Sequence, residues 1–276
     1  MQTQYLINGR PGTALSPLDR GLAYGDGVFR TLAVRHGVAH CWAKHYRRLS
    51  DDCNALAIVC PPASVLLADI GCLCEENESV AVKIIVTRGE GVRGYAVPAL
   101  AQPNWIVIKS ALPAYPEQNF SQGIRVKLCQ LRLAMQPRLA GIKHLNRLEN
   151  VLARMEWVDV QIAEGLLLDE EGRVIECTMS NIFIRRGATL VTPKLDRCGV
   201  AGVTRQRIID LAPVLGVDIA VEDLDLESLL SADEVIVCNS LYGAWQVRNL
   251  EHVNWPAGTL AASLRNRLEA DDASVA

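Results

Sequence analysis

Residues 139–150 read LAGIKHLNRLEN, and the reading of the chain turns on the lysine at their centre, Lys143. Pro137 and Gly141 break any helix entering from the N-terminal side. Beyond Lys143 the apolar residues Leu145, Leu148, Val151, Leu152 and Met155 recur at helical steps, with Arg147, Glu149 and Asn150 between them. This spacing predicts a lysine at a junction, just before an amphipathic helix that anchors its backbone. A lysine attacks a carbonyl only as the neutral amine, so a reactive one needs burial or a cationic neighbour to lower its pKa. Leu139, Ala140 and Ile142, with His144 and Arg147, are the local candidates to supply both. Taken by itself, a lysine at a helix start is more often simply solvated.

Downstream, residues 165–169 and 173–177 read as two strands of a hairpin turning at Glu170-Glu171-Gly172, with Glu176 near the end of the second. A glutamate closing a buried apolar strand is costly unless something cationic meets it. Thr178, Met179, Ser180 and Asn181 follow, then a second hairpin from strands 182–184 and 189–191. Residues 199–211, GVAGVTRQRIIDL, form a glycine turn entering a helix. The amides of Val203 and Thr204 and the Thr204 hydroxyl would lie at its N-terminus, where free N–H groups and the helix dipole favour phosphate. The stretch lacks the Lys-Ser/Thr of a P-loop, which argues against a nucleoside triphosphate. A strand at 217–221, a helix at 226–232, a strand at 234–238 running into Asn239-Ser240, and a helix at 259–268 complete the series, with a polar, frayed tail from 269.

Upstream, residues 5–8 form a strand entering a turn at Asn8-Gly9. LDRGLAYGDGVFRT, residues 18–31, is dense in glycine and aromatic residues around Asp26 and leads into a strand over 28–34. Residues 44–57 are helical, with His45, Leu49, Cys53, Leu56 and Ala57 on one face and Arg47 and Arg48 in the first half. An arginine pair on a helix is usually solvated, but guanidinium also binds phosphate oxygens bidentately. A second helix at 61–75 and strands at 81–87 and 104–110 flank RGEGVRGY, residues 88–95, a loop suited to an anionic substrate. The two prolines of ALPAYPEQ, residues 111–118, suggest a connection between domains. The chain therefore reads as α+β: a small α+β domain over 1–110, a linker over 111–119 and a larger domain over 120–276.

Composition narrows the function classes. Half of the 276 residues are hydrophobic and the net charge is −3, which supports a sizeable core and gives no footprint for nucleic acid or an acidic membrane surface. No run of about 18 apolar residues suggests a membrane span, and the first residues lack the basic start and apolar core of a signal peptide. Nine scattered cysteines fit reduced thiols in the cytoplasm, and Cys72-x-Cys74 has no second pair to complete a metal site.

The order of these pieces (arginine helix, lysine, strand-end glutamate, glycine turn into a threonine-bearing helix, late serine loop) resembles the fold-type IV enzymes that use pyridoxal 5'-phosphate (PLP). These are the branched-chain and D-amino acid aminotransferases and aminodeoxychorismate lyase. LAGIKHLNRLENVLAR, TRGEGVRGY, VIECTMSNIF and VCNSL are most similar to the lyase branch. The resemblance runs from Asp19 to about Val247 and implies a larger C-terminal mixed, β-barrel-like domain with helices. It implies that Lys143 holds PLP as a Schiff base and then shuttles protons, and that Glu176 pairs with the pyridine nitrogen. It implies that Arg48, Val203, Thr204 and Ser240 meet the phosphate, that Arg93 and Tyr95 meet substrate carboxylate, and that Asn181 shapes the site. A homodimer is implied as well. Many relatives carry glutamate or threonine where Arg30 stands; pointing inward, Arg30 would add an anion contact. The expected reaction converts 4-amino-4-deoxychorismate to p-aminobenzoate and pyruvate. Amino-group transfer by the same fold, on D- or branched-chain amino acids, is the alternative, and a non-catalytic PLP-binding homologue is a third reading.

Overall fold

Alternating apolar residues on long strands give the chain two sheets, each the centre of its own compact unit. The computed structural model describes residues 4–12 and 14–273, the last two of these by backbone alone. The first unit takes the chain up to Pro113 together with Ile142–Asn146; the second takes Ala114–Gly141 and the chain from Arg147 on. The short segment around Lys143 thus groups with the first unit rather than with the chain on either side of it.

The first unit contains β1 (Gln4–Ile7), α1 (Arg20–Tyr24), β2 (Gly27–Arg35), β3 (Val38–Ala39), α2 (Trp42–Ala55), α3 (Ala63–Leu73), β4 (Val80–Thr87) and β5 (Asn104–Ala111). Its five-stranded sheet runs β1-β5-β4-β2-β3 with every neighbouring pair antiparallel. The pairing Val28↔Val86, Arg30↔Ile84, Leu32↔Val82 and Val34↔Val80 sets these side chains on one face, because side chains alternate along a strand. That face packs against Leu49 and Cys53 of α2 and Leu66 and Ile70 of α3. Arg30 is a buried cation on this apolar face. The other face carries Phe29, Thr31, Lys83 and Ile85, all half-buried.

The second unit holds α4 (Glu117–Ser121), β6 (Ile124–Leu133), α5 (Leu148–Arg154), β7 (Ile162–Asp169), β8 (Val174–Cys177), β9 (Asn181–Arg186), β10 (Thr189–Pro193), α6 (Val203–Leu211), β11 (Asp218–Glu222), α7 (Leu226–Leu230), β12 (Glu234–Asn239), β13 (Gly243–Leu250), β14 (Val253–Asn254) and α8 (Leu260–Ala273). Its nine-stranded sheet runs β11-β10-β9-β12-β13-β6-β7-β8, with β14 on β13. The sheet is mixed: β10–β11, β13–β6 and β6–β7 are parallel and the rest antiparallel. A bridge between Arg173 and Asp225, and the Val174 N–H donating to the Leu224 carbonyl at 2.7 Å, join the β8 end of the sheet to the segment just after β11. The sheet therefore curls back towards its own first edge, as the expected barrel-like form requires.

Several elements differ from their sequence reading. The helix after Lys143 begins only at Leu148. The stretch read as a linker is largely built into the two units: Ala111 closes β5, and Tyr115 packs edge-on against Tyr242 and Trp245. The chain is helical through Ala273, past the point where a frayed tail was expected; residues 274–276 lie outside the described residues. No helix among the described residues is long and apolar enough to cross a membrane.

Candidate active site

Lys143 is placed by main-chain hydrogen bonds rather than by a helix. The residues around it lie along the edge of β2 as a short antiparallel partner. Phe29 N–H donates to the Lys143 carbonyl and Leu145 N–H to the Gly27 carbonyl, both at 2.9 Å, and Val28 bridges His144. Only glycine admits this approach at position 27: a Cβ there would stand 2.5 Å from the Val86 carbonyl oxygen and 2.7 Å from Leu145 Cδ1. Ile142 anchors the segment in the core behind α2. The Lys143 N–H donates to Asp52 Oδ2 at 3.2 Å, and the same oxygen accepts from the Arg30 guanidinium. Asp52, which the sequence reading did not single out, is buried, and Arg30 sits opposite it in the apolar layer.

The amine of Lys143 lies 4.7 Å from the centre of the Phe29 ring, and that of Lys83 reaches the same ring at 4.6 Å. Lys83 was not legible as a site residue. Burial pulls the Lys83 pKa down. Arg48 is half-buried on α2, while Arg47 is exposed.

Arg30 points inward, and the anion that it meets is this chain's own Asp52; at 3% exposure it offers no open face to a substrate. Arg88, read as part of an anion-binding loop, is buried too. It pairs with Asp26 at 2.8 Å and donates to the carbonyls of Leu56 and Ala57. Burial raises the Asp26 pKa, but the Arg88 and Arg20 bonds outweigh this and hold it below the usual carboxylate range. Arg93 and Tyr95 are exposed, Tyr95 at 85%. Their loop is tied down from behind by Arg20, which donates to the carbonyls of Gly94, Tyr95 and Ala96, and by the Tyr24 hydroxyl, which accepts from Gly94 N–H.

In the second unit Glu176 is buried near the end of β8, and its Oε2 accepts from Val200 N–H at 2.8 Å. The loop that supplies this amide turns at Gly199 with φ +83°. A Cβ at Gly199 would come within 2.6 Å of Ile175 Cγ2 and 2.9 Å of Leu195 Cδ2. Asn181 splints the same loop, donating to the Val200 carbonyl at 2.7 Å and accepting from Gly202 N–H at 3.0 Å. Helix α6 then starts at Val203 with no side-chain cap and no acidic residue in its first turn. Its Thr204 hydroxyl lies 3.2 Å from that of Ser240. Ser240 sits on a turn that Asn239 Oδ1 closes by accepting from Leu241 and Tyr242 N–H. Glu176 is thus tied to the loop that enters α6, and Ser240 meets Thr204 in that helix's uncapped first turn.

Comparison with known proteins joins these features to a family. The profile described as amino-transferase class IV matches residues 27–250. The chain belongs to the amino-transferase class IV family. Class IV enzymes of this fold type depend on PLP. The crystal structure of 4-amino-4-deoxychorismate lyase from Pseudomonas aeruginosa superposes with a TM-score of 0.92 at 48% identity, over 97% of this chain and 98% of that one. A class IV relative named aminodeoxychorismate lyase, from Vibrio harveyi, is 34% identical over 96% of this chain and 99% of its own length. D-alanine aminotransferase of Listeria innocua is 28% identical over 90% of this chain and 87% of its own length.

Proposed function

We propose that this class IV chain is a PLP-dependent lyase that converts 4-amino-4-deoxychorismate to p-aminobenzoate and pyruvate. The observation that carries the reading is Lys143, the amine of which is held over Phe29 by a main chain fixed at both its N–H and its carbonyl. The two lyase relatives, each matched over nearly its whole length, favour this reaction over amino-group transfer.

The residues fit the cofactor by their chemistry. An amine suits its aldehyde, a buried carboxylate its protonated pyridine nitrogen, and hydroxyls with uncapped amides its phosphate. Lys143 would hold PLP, Glu176 its ring nitrogen, and Val203, Thr204, Ser240 and Arg48 its phosphate. When bound, the cofactor supplies an electron sink. Glu176 keeps that sink effective by favouring the protonated ring. The Lys143 amine takes the proton from C4 of the substrate. Loss of enolpyruvate from C3 then makes the carbocycle aromatic, so the enzyme's task is chiefly to orient the C–H bond beside its base. Arg93 and Tyr95, on their exposed loop, would meet a substrate carboxylate.

A homodimer in the cytoplasm completes the proposal. The apolar stripe after Lys143 faces outward: Leu148, at 75% exposure, Val151 and Leu152 are exposed on α5, with Met155, Val158 and Val160 beyond it. A second copy of the chain is the occupant we assign to this surface.

The test supplies 4-amino-4-deoxychorismate and follows both products. Equal catalytic release of p-aminobenzoate and pyruvate is expected. No release, together with amino transfer from a D- or branched-chain amino acid to a 2-oxo acid, would make the protein an aminotransferase.

A further inference from the structure

We propose that the buried Arg30–Asp52 pair is the positioning device of Lys143, fixing the main chain from which the amine projects and balancing the charge around it. The inference rests on the reading that Lys143 carries PLP. Three observations support it. Asp52 Oδ2 serves two donors at once, the Arg30 guanidinium and the Lys143 N–H. The pair is almost wholly buried, with side chains 3% and 4% exposed. Phe29, the residue before Arg30 on β2, holds the Lys143 carbonyl and also supplies the ring beneath its amine. One stretch of strand and one helical carboxylate therefore fix Lys143 at its N–H, its carbonyl and its side chain.

A structural bond between β2 and α2 alone would not require charges. Two neutral side chains of similar volume would pack there at equal or lower cost, since both ions must leave water. Burial pushes the Asp52 pKa up and the Arg30 pKa down; their mutual attraction opposes both shifts, and the Lys143 amide opposes that of Asp52. The other charged groups that act on Arg30 are Arg48, which also acts on Asp52, and Asp51. What the ion pair provides, beyond packing, is a carboxylate strong enough to hold a main-chain amide without leaving net charge near the amine.

Opposite substitutions should therefore move Lys143 in opposite directions. Asp52→Asn keeps an acceptor for the amide but leaves Arg30 unbalanced; the added positive potential disfavours a protonated nitrogen. Arg30→Met leaves a carboxylate and favours it. The double variant Arg30→Met/Asp52→Asn removes both charges. The measurement is the pH midpoint of the visible absorbance of the purified holoenzyme, with melting temperature recorded alongside. Asp52→Asn should lower the midpoint by about one unit or more, and the double variant should return it to within about half a unit of wild type. An unmoved midpoint in folded Asp52→Asn, or a double variant that stays with it, overturns the proposal. If Asp52→Asn does not fold, Arg30→Met carries the test with the reverse sign, and a midpoint that falls or stays put overturns it. Borohydride reduction and peptide mass spectrometry separate the two layers. Cofactor trapped on another lysine, or on none, defeats the PLP reading; cofactor on Lys143 with unmoved midpoints defeats only the positioning pair.

Discussion

The edge of β2 and the loop over 199–204 position their functional groups by different physics. At the first, Lys143 is held as an added strand and steadied by a buried pair of full charges. At the second, a glycine in the left-handed region, an asparagine splint and two hydroxyls arrange neutral donors. A charged clamp tunes the protonation of what it holds. A neutral cradle fixes geometry without imposing a net potential, which suits a group that brings its own charge.

The largest test of this contrast is Lys143→Ala. It removes the amine but none of the main-chain bonds, so the fold should survive while turnover falls more than about a thousandfold and the bound chromophore is lost. Normal turnover would show that the clamp holds nothing functional. Gly199→Ala attacks the cradle by shape alone. A left-handed backbone with a side chain, driven against Ile175 and Leu195, should cost about 2–4 kcal/mol, read in denaturant melts, and weaken cofactor retention in dialysis. Retention at wild-type level would mean that the loop adjusts freely.

The smallest effect sharpens the comparison at Glu164, a wholly buried carboxylate that accepts from Thr178 and Ser180 beside the cradle. Burial raises its pKa despite those hydroxyls and the Met179 N–H. The folded protein thus holds this proton more tightly than the unfolded chain. The associated stability is complete below the ordinary glutamate value and is lost as pH rises through the raised folded value. Glu164→Gln should remove that loss, flattening the fall in melting temperature over this window. Parallel pH curves for the two proteins would count against a raised Glu164.

Much of this was legible in sequence because it is local. The strands alternate, the glycine turn announces α6, and Lys143 and Glu176 stand in recognisable surroundings. What escaped depends on distant partners. The helix after Lys143 begins late because Leu145 spends its amide on Gly27, which no local periodicity reveals. The stripe of α5 was read correctly as apolar but faces outward, since periodicity does not say what covers it. β13 was missed because Gln246 and Arg248 interrupt its apolar run. Their polar groups are met by the segment that follows the strand, Gln246 by Pro256 and Gly258 and Arg248 by Trp255. Asp52 gave no signal, because an aspartate on a helix looks solvated until its cation is seen.

The segment Ile142–Asn146, which belongs to the first unit while the chain on either side belongs to the second, has a consequence for synthesis. As the chain leaves the ribosome, the first unit's helices and strands through Ala111 are available early, but the start of β2 keeps an unpaired edge until Lys143 emerges. Bare strand edges invite pairing with the wrong partner. A gene fragment truncated near Pro113 would carry that defect permanently, so the lysine segment serves the newborn chain as a protective selvage before it serves the enzyme.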